Sequence, residues 1–162
     1  MKLAISLSAI VPDGVYSAVR PLGLSIGRID ALMDVIAFAD PSRDDPHVTV
    51  LYSRNDNRVT SQPLEMPSTY RALISKFVSW VGHDGQPYVV ALLDSPDLQA
   101  AHAAWMELGY TKDFPDYQPH ITFKKGLAED QVANVLSLLN EAIEQNPVTL
   151  VFGSQRIEPL DD

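Results

Sequence analysis

Two five-residue phrases in this 162-residue chain follow one pattern: Pro46-His47-Val48-Thr49-Val50 and, 73 positions later, Pro119-His120-Ile121-Thr122-Phe123. Side chains alternate faces along a β-strand, so His47 and Thr49 share a face, as do His120 and Thr122. Val48, Val50, Ile121 and Phe123 are left to face a core. Each phrase therefore sets one imidazole beside one hydroxyl on a rigid strand. Two such strands placed side by side would bring two imidazoles and two hydroxyls to one cleft.

That set suits phosphodiester chemistry. A neutral histidine takes a proton from an attacking hydroxyl, and a protonated one gives a proton to the leaving oxygen. With an ordinary pKa of about 6.5, histidine does either near neutral pH. Threonine hydroxyls donate to the non-bridging phosphate oxygens as negative charge gathers on them. No metal is needed for these steps. The alternative is a pair of core histidines with threonine chosen for its β-propensity. The chain holds six Thr and four His, which make six His pairs. Two accidental His-x-Thr occurrences then have a probability of roughly 0.8%, before the shared Pro and apolar positions are added. The doubling favours a site. Which histidine is the acid and which the base stays open at this level.

The surrounding pattern supplies elements to hold the phrases. Residues 14–20 alternate Val15, Ser17 and Val19 against Tyr16, Ala18 and Arg20, and predict a strand. Residues 27–39 carry apolar side chains at helical spacing and stop at "DPSRDDP". Strands are expected at 47–53, at 70–81 and 88–94 as a hairpin, at 120–125, and as one last strand over 148–158. "SRNDNRVTSQP" reads as a polar loop with strand edges. Helices are expected at 95–109, with Ser95 as cap, Pro96 at the first position and Gly109 at the end, and at 128–146. The order β–α–β–β–β–α–β–α–β, with one phrase in each half, predicts an α+β fold of two related lobes within a single domain, 1–162.

Composition narrows the function classes. Hydrophobic residues make up 46% and charged residues 20%, as in an ordinary globular protein. Twelve Lys and Arg stand against 21 Asp and Glu, a net charge of -9, which argues against binding a long nucleic acid but not against one small anionic ligand. With no cysteine there is no disulfide, thiolate ligand or cysteine nucleophile, in keeping with a reducing cytoplasm. The start "MKLAISLSAIV" reads as a strand or arm, since it lacks a small-residue cleavage site. No apolar run approaches the roughly 20 residues a spanning helix needs, so no membrane partner is expected. Neither metal nor cofactor is expected: there is no His-x-His pair and no acidic cluster at ligand spacing. His83 and His102 lack the motif and read as structural or surface residues. Arg54 and Lys124 could balance phosphate charge, although strand-end cations are usually just solvated.

Paired His-x-Thr phrases in the two halves of a small α+β chain resemble the two-histidine (2H) phosphoesterases. The wider context, "HVTVLYSR", "YVVALLDSPDLQAAHAAWMELGYTKDFPDYQPHITF" and the closing "EPLDD", resembles the bacteriophage anti-CBASS phosphodiesterases, from about Tyr16 onward. The resemblance implies a bilobal fold with a central cleft and helices outside. It also implies catalytic His47, Thr49, His120 and Thr122 and metal-independent cleavage of 3′–5′ linkages in cyclic di- and trinucleotides such as 3′,3′-cyclic GMP–AMP. The chain would then act in the cytoplasm of the infected bacterium, removing an antiviral signal. Substrate-binding roles are implied for Tyr16 under a base, for Glu158 (with Gln155 the competing alignment), and for Trp80, whose alternative is core packing in "FVSWVG". Two other functions stay in view: an RNA 2′,3′-cyclic phosphodiesterase, and a non-enzymatic sponge for cyclic nucleotides.

Overall fold

The computed structural model describes residues 4–6, 14–20, 22, 47–54, 61–64, 66–82, 85–110, 116–125, 128–153 and 155–159. Among them the strands are β1 (Ala4–Ser6), β2 (Gly14–Val19), β3 (Val48–Arg54), β4 (Ser61–Pro63), β5 (Tyr70–Val81), β6 (Pro87–Asp94), β7 (His120–Lys125), β8 (Thr149–Phe152) and β9 (Arg156–Pro159). The helices are α1 (Pro96–Glu107) and α2 (Glu129–Gln145). The chain is α+β. Two antiparallel sheets dominate, ordered β3-β2-β9 and β7-β6-β5-β8, with β1 and β4 forming a small separate pair. The helix expected over 27–39 and the turn residue His83 lie outside the described residues, as do the side chains of Arg54, Phe123, Lys124, Lys125 and Glu158.

The last strand expected over 148–158 is instead two strands in two sheets: β8 pairs with β5, and β9 with β2. The break falls at Gly153. Its amide donates to the Arg20 carbonyl (2.6 Å), and a Cβ there would meet the Leu22 side chain at 3.0 Å. Only glycine fits so close an approach without displacing its neighbour. The crossing ties the sheets together, and one buried cluster draws on both: Val15, Val48 and Leu51 from the first, Phe77, Ala91 and Ile121 from the second, sealed by Trp105 of α1 and Leu139 of α2.

Both helices lie against β5, α1 also reaching β3 and α2 reaching β6. They close stretches of β5 that lack a strand neighbour. At Phe77 the Asn140 side chain of α2 accepts from the amide (2.8 Å) and donates to the carbonyl (3.0 Å). At Arg71 the amide donates to Asp97 (2.9 Å) and the carbonyl accepts from Ser95 Oγ (2.6 Å). Ser95 also caps α1, its Oγ accepting from the Leu98 amide at 3.1 Å, and it is buried. Ser95→Ala removes both bonds at once. A loss of about 2 kcal/mol, the upper end for a helix cap, is expected in urea unfolding; a loss under about 0.5 kcal/mol contradicts this account of the joint. Past the other end of α1, Gly109 holds φ +98°, the left-handed conformation that ends a helix without strain in glycine alone.

Candidate active site

Each His-x-Thr strand carries a bulge at the same point. Between β2 and β3, Ser17 pairs with Leu51 and Ala18 with Thr49, so Val50 has no partner. Between β6 and β7, Val89 pairs with Lys124 and Val90 with Thr122, so Phe123 has none. In both cases the extra residue directly follows the motif threonine. A bulge bends a strand and changes which face later residues occupy. In β3 it leaves His47 and Thr49 on one face and moves Tyr52 onto that face too, while Val50 and Leu51 are both buried. β3 and β7 are the terminal strands of their sheets, and they approach each other without pairing.

On the β3 side, His47 stands just ahead of the strand, exposed, and Thr49 is half-buried. Tyr16 of β2 reaches both: its ring is edge-on to His47 with centroids 6.3 Å apart, and its hydroxyl lies 3.5 Å from Thr49 Oγ1. Tyr52, 45% exposed, is edge-on to Tyr16 at 6.4 Å. Tyr16 thus stands beside the imidazole and Tyr52 beside Tyr16, with faces and edges that a nucleobase could pack on.

On the β7 side, His120 opens the strand, and the half-buried Thr122 follows on the same face. His120 Nδ1 lies 2.9 Å from the Gln118 carbonyl, which can only accept, so Nδ1 carries the proton. In the neutral ring Nε2 is then the basic nitrogen. Trp80 packs edge-on against the ring, with centroids 4.5 Å apart. Burial holds the His120 pKa below the ordinary histidine value, because the charged form loses hydration; the Gln118 carbonyl opposes this, and the nearby His47 adds to it. The two histidines are thus close enough to sense each other's charge.

Trp80 is 40% exposed, so it does not fill the core as "FVSWVG" allows. The register between β5 and β6 slips at Ser75, placing Phe77 inward and Trp80 on the face shared with His120. Gln155 serves as a structural knot. Its Oε1 accepts from Ser17 Oγ (2.8 Å) and Trp105 Nε1 (2.9 Å), and its Nε2 donates to the Tyr70 hydroxyl (2.6 Å). With those groups occupied it has little left for a ligand. Glu158 pairs in register with Tyr16, in the same row as Tyr52.

Sequence reasoning did not single out Tyr117, and it read His102 as structural or surface. The two rings stack at 4.2 Å and 12°, and both reach the backbone of β3. The signal available for His102 was its place four residues after Leu98 and three before Trp105, on the inward stripe of α1. Among the described residues, no three His, Asp or Glu side chains gather as a metal site requires, and no helix is long and apolar enough to cross a membrane.

Comparison with known proteins finds relatives that cover most of the chain. The sequence is 32% identical over 162 residues to anti-CBASS protein Acb1 of Vibrio phage KVP40, covering 99% of this chain and 95% of that protein. It is 30% identical over 154 residues to the Acb1 of Acinetobacter phage Ac42, covering 93% of each. Against the Acb1 of Enterobacteria phage T4 it is 31% identical over 111 residues, covering 67% of this chain and 70% of that protein. The family described as anti-CBASS protein Acb1 matches residues 13–162, which takes in both His-x-Thr strands, and the chain belongs to that family.

Proposed function

We propose that this chain is a metal-independent phosphodiesterase with the bilobal, single-domain 2H phosphoesterase architecture. Its substrates are cyclic di- and trinucleotide signals such as 3′,3′-cyclic GMP–AMP, whose 3′–5′ linkages it cleaves in the cytoplasm of the infected bacterium, so that CBASS defence is not triggered. The observation that carries this reading is the approach of β3 and β7, the end strands of two sheets, each with its histidine and threonine on one face.

Each residue takes one part of the reaction. His120, kept neutral by burial, takes the proton of a ribose 2′-hydroxyl at Nε2. The 2′-oxygen attacks phosphorus and forms a 2′,3′-cyclic phosphate as the bond to the 5′-oxygen breaks. Protonated His47 gives its proton to that leaving oxygen. Water then opens the cyclic phosphate with the roles exchanged: His47 takes the water proton and His120 returns one to the 2′-oxygen. The hydroxyls of Thr49 and Thr122 donate to the non-bridging oxygens. Tyr16, with Tyr52 beside it, packs on a base; Trp80 flanks His120 from the other side, and Glu158 contributes to substrate binding next to Tyr16.

His120 sets the sign of the pH dependence. Its pKa lies below 6.5, so the base form persists as pH falls through 6.5 and is lost only as pH passes the folded-state value. The acid limb of kcat/KM should therefore lie below pH 6.5; a limb above 6.5 would remove His120 from the role of first base.

The substrate class is tested by incubating the protein with 3′,3′-cyclic GMP–AMP and, separately, with a nucleoside 2′,3′-cyclic phosphate. Cleavage of the first is expected. Cleavage of the second alone would replace this reading with an RNA-end phosphodiesterase.

A further inference from the structure

We infer that Tyr117 and His102 are positioning residues that fix β3 against β7, and so set the span between the His47–Thr49 and His120–Thr122 pairs. The Tyr117 hydroxyl donates to the carbonyl of Thr49 at 2.6 Å, and His102 Nδ1 donates to the carbonyl of Val50 at 2.8 Å. Val50 is the bulge residue that comes directly after the motif threonine. A regular strand sends successive carbonyls to opposite sides. Here two consecutive carbonyls are both taken by side chains from outside the sheet of β3. The stack between the rings, 4.2 Å apart and nearly parallel, makes the two donors one unit.

The other end of this unit is fixed to the second motif. Tyr117 lies three residues before His120, and its own carbonyl accepts from Gln99 Nε2 of α1 at 3.1 Å. Between them, Gln118 holds His120 through its carbonyl, and its side chain donates to the carbonyls of Leu93 in β6 (3.2 Å) and of Pro119 just ahead of β7 (2.9 Å). The chain thus runs from the backbone of Thr49 through Tyr117 and Gln118 to the imidazole of His120. No strand pairing joins β3 to β7, so these side chains take the place of a ladder where the two halves meet. Burial raises the Tyr117 pKa, which keeps its hydroxyl a donor across the physiological range.

This inference rests on the phosphodiesterase reading for its kinetic consequence, since in-line transfer needs acid and base at a set separation. A misplacement of about 1 Å can lower turnover by about a hundredfold. Tyr117→Phe keeps the ring and its stack but removes the donor. We expect kcat on 3′,3′-cyclic GMP–AMP to fall by about tenfold or more, with KM changed by less than about twofold. In a His47→Ala, Thr49→Ala background the same change should lower the residual kcat by less than about twofold, because both groups it positions are gone. His102→Leu should repeat the loss, and His102→Asn, whose amide can donate in place of Nδ1, should restore most of it. Unchanged kcat in Tyr117→Phe, or an equal fractional loss in both backgrounds, would overturn the inference. A second readout needs no turnover. NMR titration of the imidazoles should show the His120 midpoint rising toward its ordinary value in Tyr117→Phe, as β3 and His47 draw away; an unmoved midpoint also overturns it. If wild-type protein cleaves no cyclic nucleotide, the phosphodiesterase reading fails, and the titration still decides whether Tyr117 sets the spacing.

Discussion

His120→Ala is expected to lower turnover of 3′,3′-cyclic GMP–AMP by about 10²- to 10⁴-fold, the range a positioned general acid or base supplies. His47→Ala should do the same. In the proposed mechanism the two imidazoles act on one phosphate in one step, so the double variant should lose little more than either single one. Loss of fold does not explain the effect in advance: His47 is exposed, and His120 stands at the first position of a terminal strand outside the buried cluster. Melting temperatures should therefore stay within about 3 °C of wild type, since neither change opens a core cavity. Single variants that keep turnover, or losses that multiply in the double variant, would mean that the histidines serve separate tasks.

The largest stability effect of a polar residue should come from Gln155. Gln155→Leu strands three groups on residues that are fully buried: Ser17 Oγ, Trp105 Nε1 and the Tyr70 hydroxyl. A buried polar group left without a partner costs about 1–3 kcal/mol, so three such groups, taken toward the lower end of that range, cost about 3–5 kcal/mol in total. For a chain of this size that is a fall in melting temperature of about 10 °C. These groups belong to β2, α1 and β5, so the knot joins both large sheets and a helix. The folded variant should keep kcat close to wild type at low temperature. A variant that melts normally and has lost its turnover would make Gln155 a site residue and leave Glu158 the weaker assignment.

The contrast between these residues shows what the sequence could and could not reveal. The His-x-Thr phrases were legible because period-two alternation is local: two residues apart on a strand means one face. The caps of α1 were legible for the same reason, since Ser95, Pro96 and Gly109 each answer a local backbone requirement. The hidden features depend on register. No residue type marks the extra positions at Val50, Ser75 and Phe123, yet the first two change the faces of the residues after them. Uninterrupted alternation from Tyr70 would put Trp80 in the core beside Ala72 and Ile74. The slip at Ser75 puts it against His120 instead. The split of the last strand was hidden because "VTLVFGSQRIE" has the composition of one strand with a glycine in it. Only the partners, β5 on one side of Gly153 and β2 on the other, separate its halves. Tyr117 and His102 escaped notice because their partners are backbone carbonyls far along the chain.

The central claim is that two His-x-Thr strands form a single phosphodiesterase site needing no metal. The direct measurement is chromatography of 3′,3′-cyclic GMP–AMP incubated with the protein in excess EDTA, with products monitored over time. Complete conversion to linear products is expected, with a 2′,3′-cyclic phosphate species rising and then falling. Recovery of the intact cyclic dinucleotide from denatured protein, or turnover that stops on chelation, would contradict it.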